Sequence, residues 1–198
     1  MYKPLFTLVL LLETTITPAQ SPATGKILGH DYVDLGLSVM WATCNIGANL
    51  PSDYGDYFAW GEAETKSSYT DSNSATYNKS LYIFLDAATM HWGSVWRMPT
   101  KDEIQELIDN CTWTWTTQGG HEGYRVTSKK NGNSIFLSAA GYYDTQLNVA
   151  DRWGCYWFSS PYESEDSHAF CLNFGRGGYD ADWNYRYLGE SIRHVIDK

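Results

Sequence analysis

Ile104, Leu107 and Ile108 fall three and four residues apart directly after the stretch RMPT, and that spacing predicts one amphipathic helix. Thr100 stands where it can cap the first turn, and Glu103 three residues later completes a capping box, so the helix should begin after Thr100 and end near Asn110. Elsewhere the pattern has period two. In YRVTSKKNGNSIFLSAAG, Asn131-Gly132 separates two alternating runs, a strong hairpin signal. Further strand-like runs occupy Tyr156 to Ser160, His168 to Phe174 and Ser191 to Ile196, and YVDLGLSVMWATC reads as two short strands around Gly36. The stretch NLPSDYGDYFAWGEAETKSSYTDSNSATYN carries little periodicity and much Gly, Ser, Asp and Asn, which predicts a long structured loop. A few short strands, one or two helices and much loop imply an α+β domain.

The N-terminus has a different pattern. Lys3 precedes an apolar run from Leu5 to Leu12 and a small-residue end at Thr17-Pro18-Ala19, the order of a secretory signal peptide over residues 1–19. That run is too short to span a membrane, and no other stretch approaches the length required. Residues 20–30 read as a linker and 31–198 as a single domain, since 198 residues with 43% apolar content suit one core better than two. The expected product is exported, at a bacterial cell surface, in the periplasm or outside the cell. Of 14 basic and 23 acidic residues, cleavage removes one each, so the formal charge stays at −9 and nucleic acid is a poor partner. Nine tryptophans exceed what one core of this size hides, which predicts exposed aromatics for contact.

Cys44, Cys111, Cys155 and Cys171 are an even set, and in an exported chain that favours disulfides. Four cysteines allow three pairings; Cys44 with Cys111 and Cys155 with Cys171 is the expected one, because the second pair would join CYWFSS to HAFCLNF. Without a C-x-x-C motif, a zinc or thioredoxin-type centre has little support. The five histidines stand in no nucleophile setting and read as polar surface. Glu163, Glu165 and Asp166, or Asp180 and Asp182, could form an acid/base pair, though carboxylates in a polar stretch are more often solvated charge.

Taken in order, YVDLGLSVMWATCNIGA, YGDYFAWGE, DAATMHWGSVWRMPT, CTWTW, NGNSIFLSAAGY, YWFSSP and RYLGESIRHV resemble successive blocks of the Fibrobacter succinogenes major paralogous domain family, from Tyr32 to Val195. The resemblance implies a C-type-lectin-like fold related to formylglycine-generating enzymes, with the N- and C-terminal strands side by side. It also implies a framework role for Trp92, Trp96, Arg97, Pro99, Trp157, Arg186, Gly189, Ser191 and Arg193. Calcium-dependent lectins of this fold carry Glu-Pro-Asn or Gln-Pro-Asp with Trp-Asn-Asp, whereas this chain has DWNYR, with Tyr185 where a carboxylate is needed, so neither a metal nor a cofactor is expected.

From Asp151 to Glu190, 26 of 40 residues are Tyr, Asp, Asn, His, Ser, Gly, Cys or Arg, close to the vocabulary of an antibody paratope. The expected contacts are Tyr162, Asp166, His168, Asn173, Arg176, Tyr179, Asp180, Asp182, Asn184, Tyr185 and Tyr187, within an exposed loop preceding the closing strand. The same residue set arises when asparagine codons are rewritten at adenines, as in the variable proteins of diversity-generating retroelements. The sequence thus predicts a non-enzymatic, lectin-like or adhesin-like domain that binds a protein or glycan on a cell or phage surface. The competing expectation is a formylglycine-generating-type or glycan-processing enzyme.

Overall fold

A computed structural model describes residues 22–80 and 84–198, so the signal peptide expected over residues 1–19 lies outside the described residues. The first sheet opens with β1 (Gly25–Ile27), β2 (His30–Val33) and β3 (Val39–Asn45). A long stretch follows whose described residues are irregular apart from a short 3-10 turn at Asp71–Asn73. Two helices come next, α1 (Ala87–Trp92) and α2 (Lys101–Asn110). Then the chain is nearly continuous strand: β4 (Cys111–Gln118), β5 (His121–Ser128), β6 (Ser134–Ser138), β7 (Tyr142–Tyr143) and β8 (Leu147–Asn148). It closes with β9 (Trp153–Pro161), β10 (His168–Gly175), β11 (Gly178–Tyr185) and β12 (Arg193–Asp197).

Helix α2 forms for the reasons its sequence supplies. The Thr100 hydroxyl accepts the Glu103 backbone N–H at 3.3 Å, and the Glu103 carboxylate accepts the Thr100 N–H at 2.8 Å, so two N-terminal donors are satisfied. Ile104 and Leu107 are buried. The β5–β6 hairpin also forms, its loop turning at Gly132, where a φ of +77° suits a residue without a side chain.

Four small antiparallel sheets result: β1-β2-β3-β12, β4-β5-β6, β9-β10-β11 and the pair β7-β8. Strand β12 lies against β3 with Val195 opposite Trp41, so the two ends of the domain do share a sheet. Trp41, Val126, Leu137, Phe158, Leu172, Phe174 and Val195 from three sheets meet Ile104 and Leu107 of α2 in the largest apolar core. A second core packs Phe58 and Trp60 of the long loop and α1 against Trp157 and Cys171.

The α+β expectation, and with it the C-type-lectin-like assignment, is overturned: 43% of the structure is strand and 11% helix. Part of the difference lies in two places. Most of Tyr179 to Tyr187, expected as a contact loop apart from Trp183 and Arg186, belongs to β11, which pairs along its whole length with β10. Gly25–Ile27, within the expected linker, pairs with β2. Among the described residues no helix is long and apolar enough to cross a membrane.

Candidate functional site

Side chains on a strand alternate between faces, so the register of β10 and β11 divides the candidate contacts. Phe174 lies opposite Tyr179, Phe170 opposite Trp183 and His168 opposite Tyr185 on one face; Asn173 lies opposite Asp180, Cys171 opposite Asp182 and Ala169 opposite Asn184 on the other. The eleven expected residues therefore form no single surface. The first face starts in the core and emerges into solvent. Tyr179 stacks on Trp113 at 4.3 Å and packs against the main core, so it is held as structure. Farther along, Trp183 and Tyr185 are 44% and 41% exposed.

Around these two rings an aromatic ridge is continuous. Phe170 is 5.3 Å from Tyr162, Tyr162 is 5.8 Å from Trp183, and the His168 ring lies 4.5 Å from Trp183 and 4.4 Å from Tyr185. Tyr185 stacks on Tyr187 at 5.5 Å, and Tyr187 meets Tyr77 at 5.1 Å. Beside the Phe170 end runs a groove of about 480 Å³, bordered by Lys101, Ser160, Tyr162 and Glu163. Trp183, Phe170 and Tyr77 were not among the expected contacts. For Trp183 the signal was available: residues 179, 181, 183 and 185 share a face in any strand.

His168 is 5% exposed, and its Nδ1 lies 2.9 Å from the Glu165 carboxylate and 2.7 Å from the Ser167 hydroxyl. Burial lowers its pKa, opposed by Glu165 and assisted by Arg186, so the ring is neutral near pH 7. A carboxylate only accepts, so Nδ1 carries the proton and Nε2 is the acceptor. That Nε2 has no partner among the described residues. Arg186 fixes the ring from behind: its Nε donates to the His168 carbonyl at 2.8 Å while its guanidinium lies 4.6 Å over Trp60.

On the opposite face, Asn184 donates to the buried Glu190 carboxyl at 2.8 Å, with the Cys171 thiol beside it. Asp180 and Asp182 are exposed at the outer edge, and Asn173 is half-buried between strands. Arg176 is exposed in the turn between β10 and β11, and Asp166 accepts from the Ser80 hydroxyl.

The expected disulfides are not formed: all four cysteines are free. Cys171 lies opposite Trp157 and Cys155 opposite Asn173, which makes the two cysteines diagonal neighbours. Such neighbours are about 7–8 Å apart, beyond the roughly 4.4–6.8 Å between Cα atoms that a disulfide spans. Cys44 sits in β3 and Cys111 at the start of β4, in different sheets. Burial raises the Cys155 and Cys171 thiols far above their usual range and pushes Cys111 up to about 11, so all three remain protonated at neutral pH.

The histidines are not uniformly surface residues. His194 is fully buried and stacks on Trp92 at 3.9 Å, and His30 stacks on the same indole at 3.6 Å. Arg193 serves as framework, its Nε donating to Asn45 at 2.8 Å. Among the described residues no group of three or more His, Cys, Asp or Glu side chains could hold a metal ion. Comparison of the chain with protein-family models, with curated proteins and with solved structures finds no match.

Proposed function

We propose that the chain is an exported, non-enzymatic ligand-binding domain whose contact surface is the aromatic ridge of β10 and β11. One observation carries this reading: Trp183 and Tyr185 stand 44% and 41% exposed within a cluster of rings, on a strand that among the described residues pairs on one side only. Leaving large rings in water is unfavourable, by about 25 cal/mol for each Å² of apolar surface, so an exposed cluster of them gains most when a partner covers it. Tyr and Trp are also the side chains that most often anchor interfaces. The three deeply buried thiols support a binding role over nucleophilic chemistry at Cys155 or Cys171.

The sequence resemblance to the Fibrobacter succinogenes major paralogous domain family supports export and a partner that is a protein or glycan on a cell or phage surface. It also extends the proposal to a retroelement-diversified variable protein. Reading the DNA beside the coding region checks that extension: a reverse transcriptase gene and an imperfect repeat of the C-terminal codons, differing at adenines, are expected. For binding itself, the purified chain and a Trp183→Ala/Tyr185→Ala variant would be applied to whole bacterial cells, phage particles and glycan arrays. The variant should keep its circular dichroism spectrum and lose most of its retention. Equal retention by both proteins would refute the ridge as the contact surface.

A further inference from the structure

The ridge is flanked by unpaired negative charge. Glu163 and Glu165 lie within three residues of Tyr162 and are exposed, and Asp182 is exposed on the opposite, polar face of β11. Among the described residues no Lys or Arg pairs with any of the three. Glu165 lies against the His168 imidazole at 2.9 Å and the Ser167 hydroxyl at 3.5 Å, with no basic side chain beside it among the described residues. No lysine occurs between Lys130 and Lys198, so β9, β10 and β11 carry no ammonium of their own.

The ridge already accepts one cation. The Lys101 ammonium lies 3.9 Å from the Phe170 ring centre, and Phe170 is the cross-strand neighbour of Trp183. Among the described residues no cation lies over Trp183, Tyr162 or Tyr185. His168 adds a third element. Its Nε2 is a buried acceptor with no partner among the described residues, on a ring that touches both Trp183 and Tyr185. Ring faces and exposed carboxylates together suit a ligand that is positively charged and carries N–H donors.

Resting on the binding role proposed above, we infer that the ridge recognises a polypeptide segment presenting Lys or Arg, seated over Trp183 and Tyr162 with Glu163 and Glu165 as counter-charges. An Arg or Lys side chain stacks on the rings and donates to the carboxylates. A neutral sugar offers the rings a stacking face but leaves the carboxylates without a counter-charge.

The test is a titration of the full chain, followed through the Trp183 indole N–H resonance, assigned by its absence from a Trp183→Phe variant. Three probes are compared: a short capped Gly/Arg/Lys peptide, the same peptide with Gln at every basic position, and an uncharged hexasaccharide. The basic peptide should shift the indole saturably and bind at least about tenfold more tightly than its Gln counterpart. Glu163→Gln/Glu165→Gln, which leaves every ring in place, should weaken it severalfold, and higher ionic strength should do the same. Equal binding of the Gln peptide, no indole response to the basic peptide, or binding that survives Trp183→Ala would each overturn the inference. An indole that responds to the hexasaccharide alone overturns it too, while leaving the ridge as a binding surface. Loss of the binding role itself would show separately, as unchanged retention of the Trp183→Ala/Tyr185→Ala variant on cells, phage and glycans.

Discussion

Glu190 is a carboxyl held where a carboxylate is disfavoured. It is fully buried, Asn184 donates one hydrogen bond to it, and burial lifts its pKa from 4.5 to about 8. The folded chain therefore keeps a proton that the unfolded chain releases above about pH 4.5. Stability is complete below that pH and declines as pH rises through about 8, where the folded protein must ionise the group in its buried site. His168 and His194, whose folded pKa values are depressed below 6.5, act in the opposite sense and only as pH falls below that value. Between 6.5 and about 8 the Glu190 effect is thus isolated. The melting temperature of the natural chain should fall across this window, and Glu190→Gln should flatten the slope; parallel slopes would show that Glu190 does not titrate there.

At the scale of elements, helix α2 is fully legible because two independent signals coincide, an apolar stripe and a capping box. Thr100→Ala should cost about 1 kcal/mol, measured as a lower urea midpoint with unchanged m-value. Glu103→Ala should cost more, because Glu103 also receives the Arg97 guanidinium at 2.6 and 2.8 Å, and Arg97 ties in turn to Asp197 of β12. A Glu103→Ala cost no greater than the Thr100 cost would mean that the Arg97 contact contributes nothing. Strand β11 was hidden by composition. Gly, Asp and Asn argue for loop, yet the alternation of Tyr179, Ala181, Trp183 and Tyr185 is that of a strand with one apolar side. Weighing residue types over period put Tyr179 among the contacts and left Trp183 out. The packing of Tyr179 on Trp113 and the burial of Glu190 depend on residues far apart in sequence, and no local pattern encodes them.

For the whole molecule, the count of accessible thiols separates the structure from the disulfide-braced scaffold that its cysteine number suggests. Cys44 is partly exposed, whereas Cys111, Cys155 and Cys171 are buried. A thiol reagent should label one cysteine in the native protein and all four after denaturation; no labelling in denaturant would restore the disulfides. With free thiols, cohesion rests on the three-sheet core and on β12 closing against β3.

Among the described residues strand β11 has a hydrogen-bonded neighbour on one side only, and its side chains alternate between ridge and polar edge. Asp180 and Asp182 are exposed on the polar edge, so no neighbouring strand must repack when one of them changes, whereas Trp183 and Tyr185 pack on His168 of β10. Evolution can therefore rewrite half of this strand at little risk to folding. The ridge and the edge would drift as two separately adjustable traits, with Tyr179 as the fixed point between a permanent scaffold and a replaceable tip.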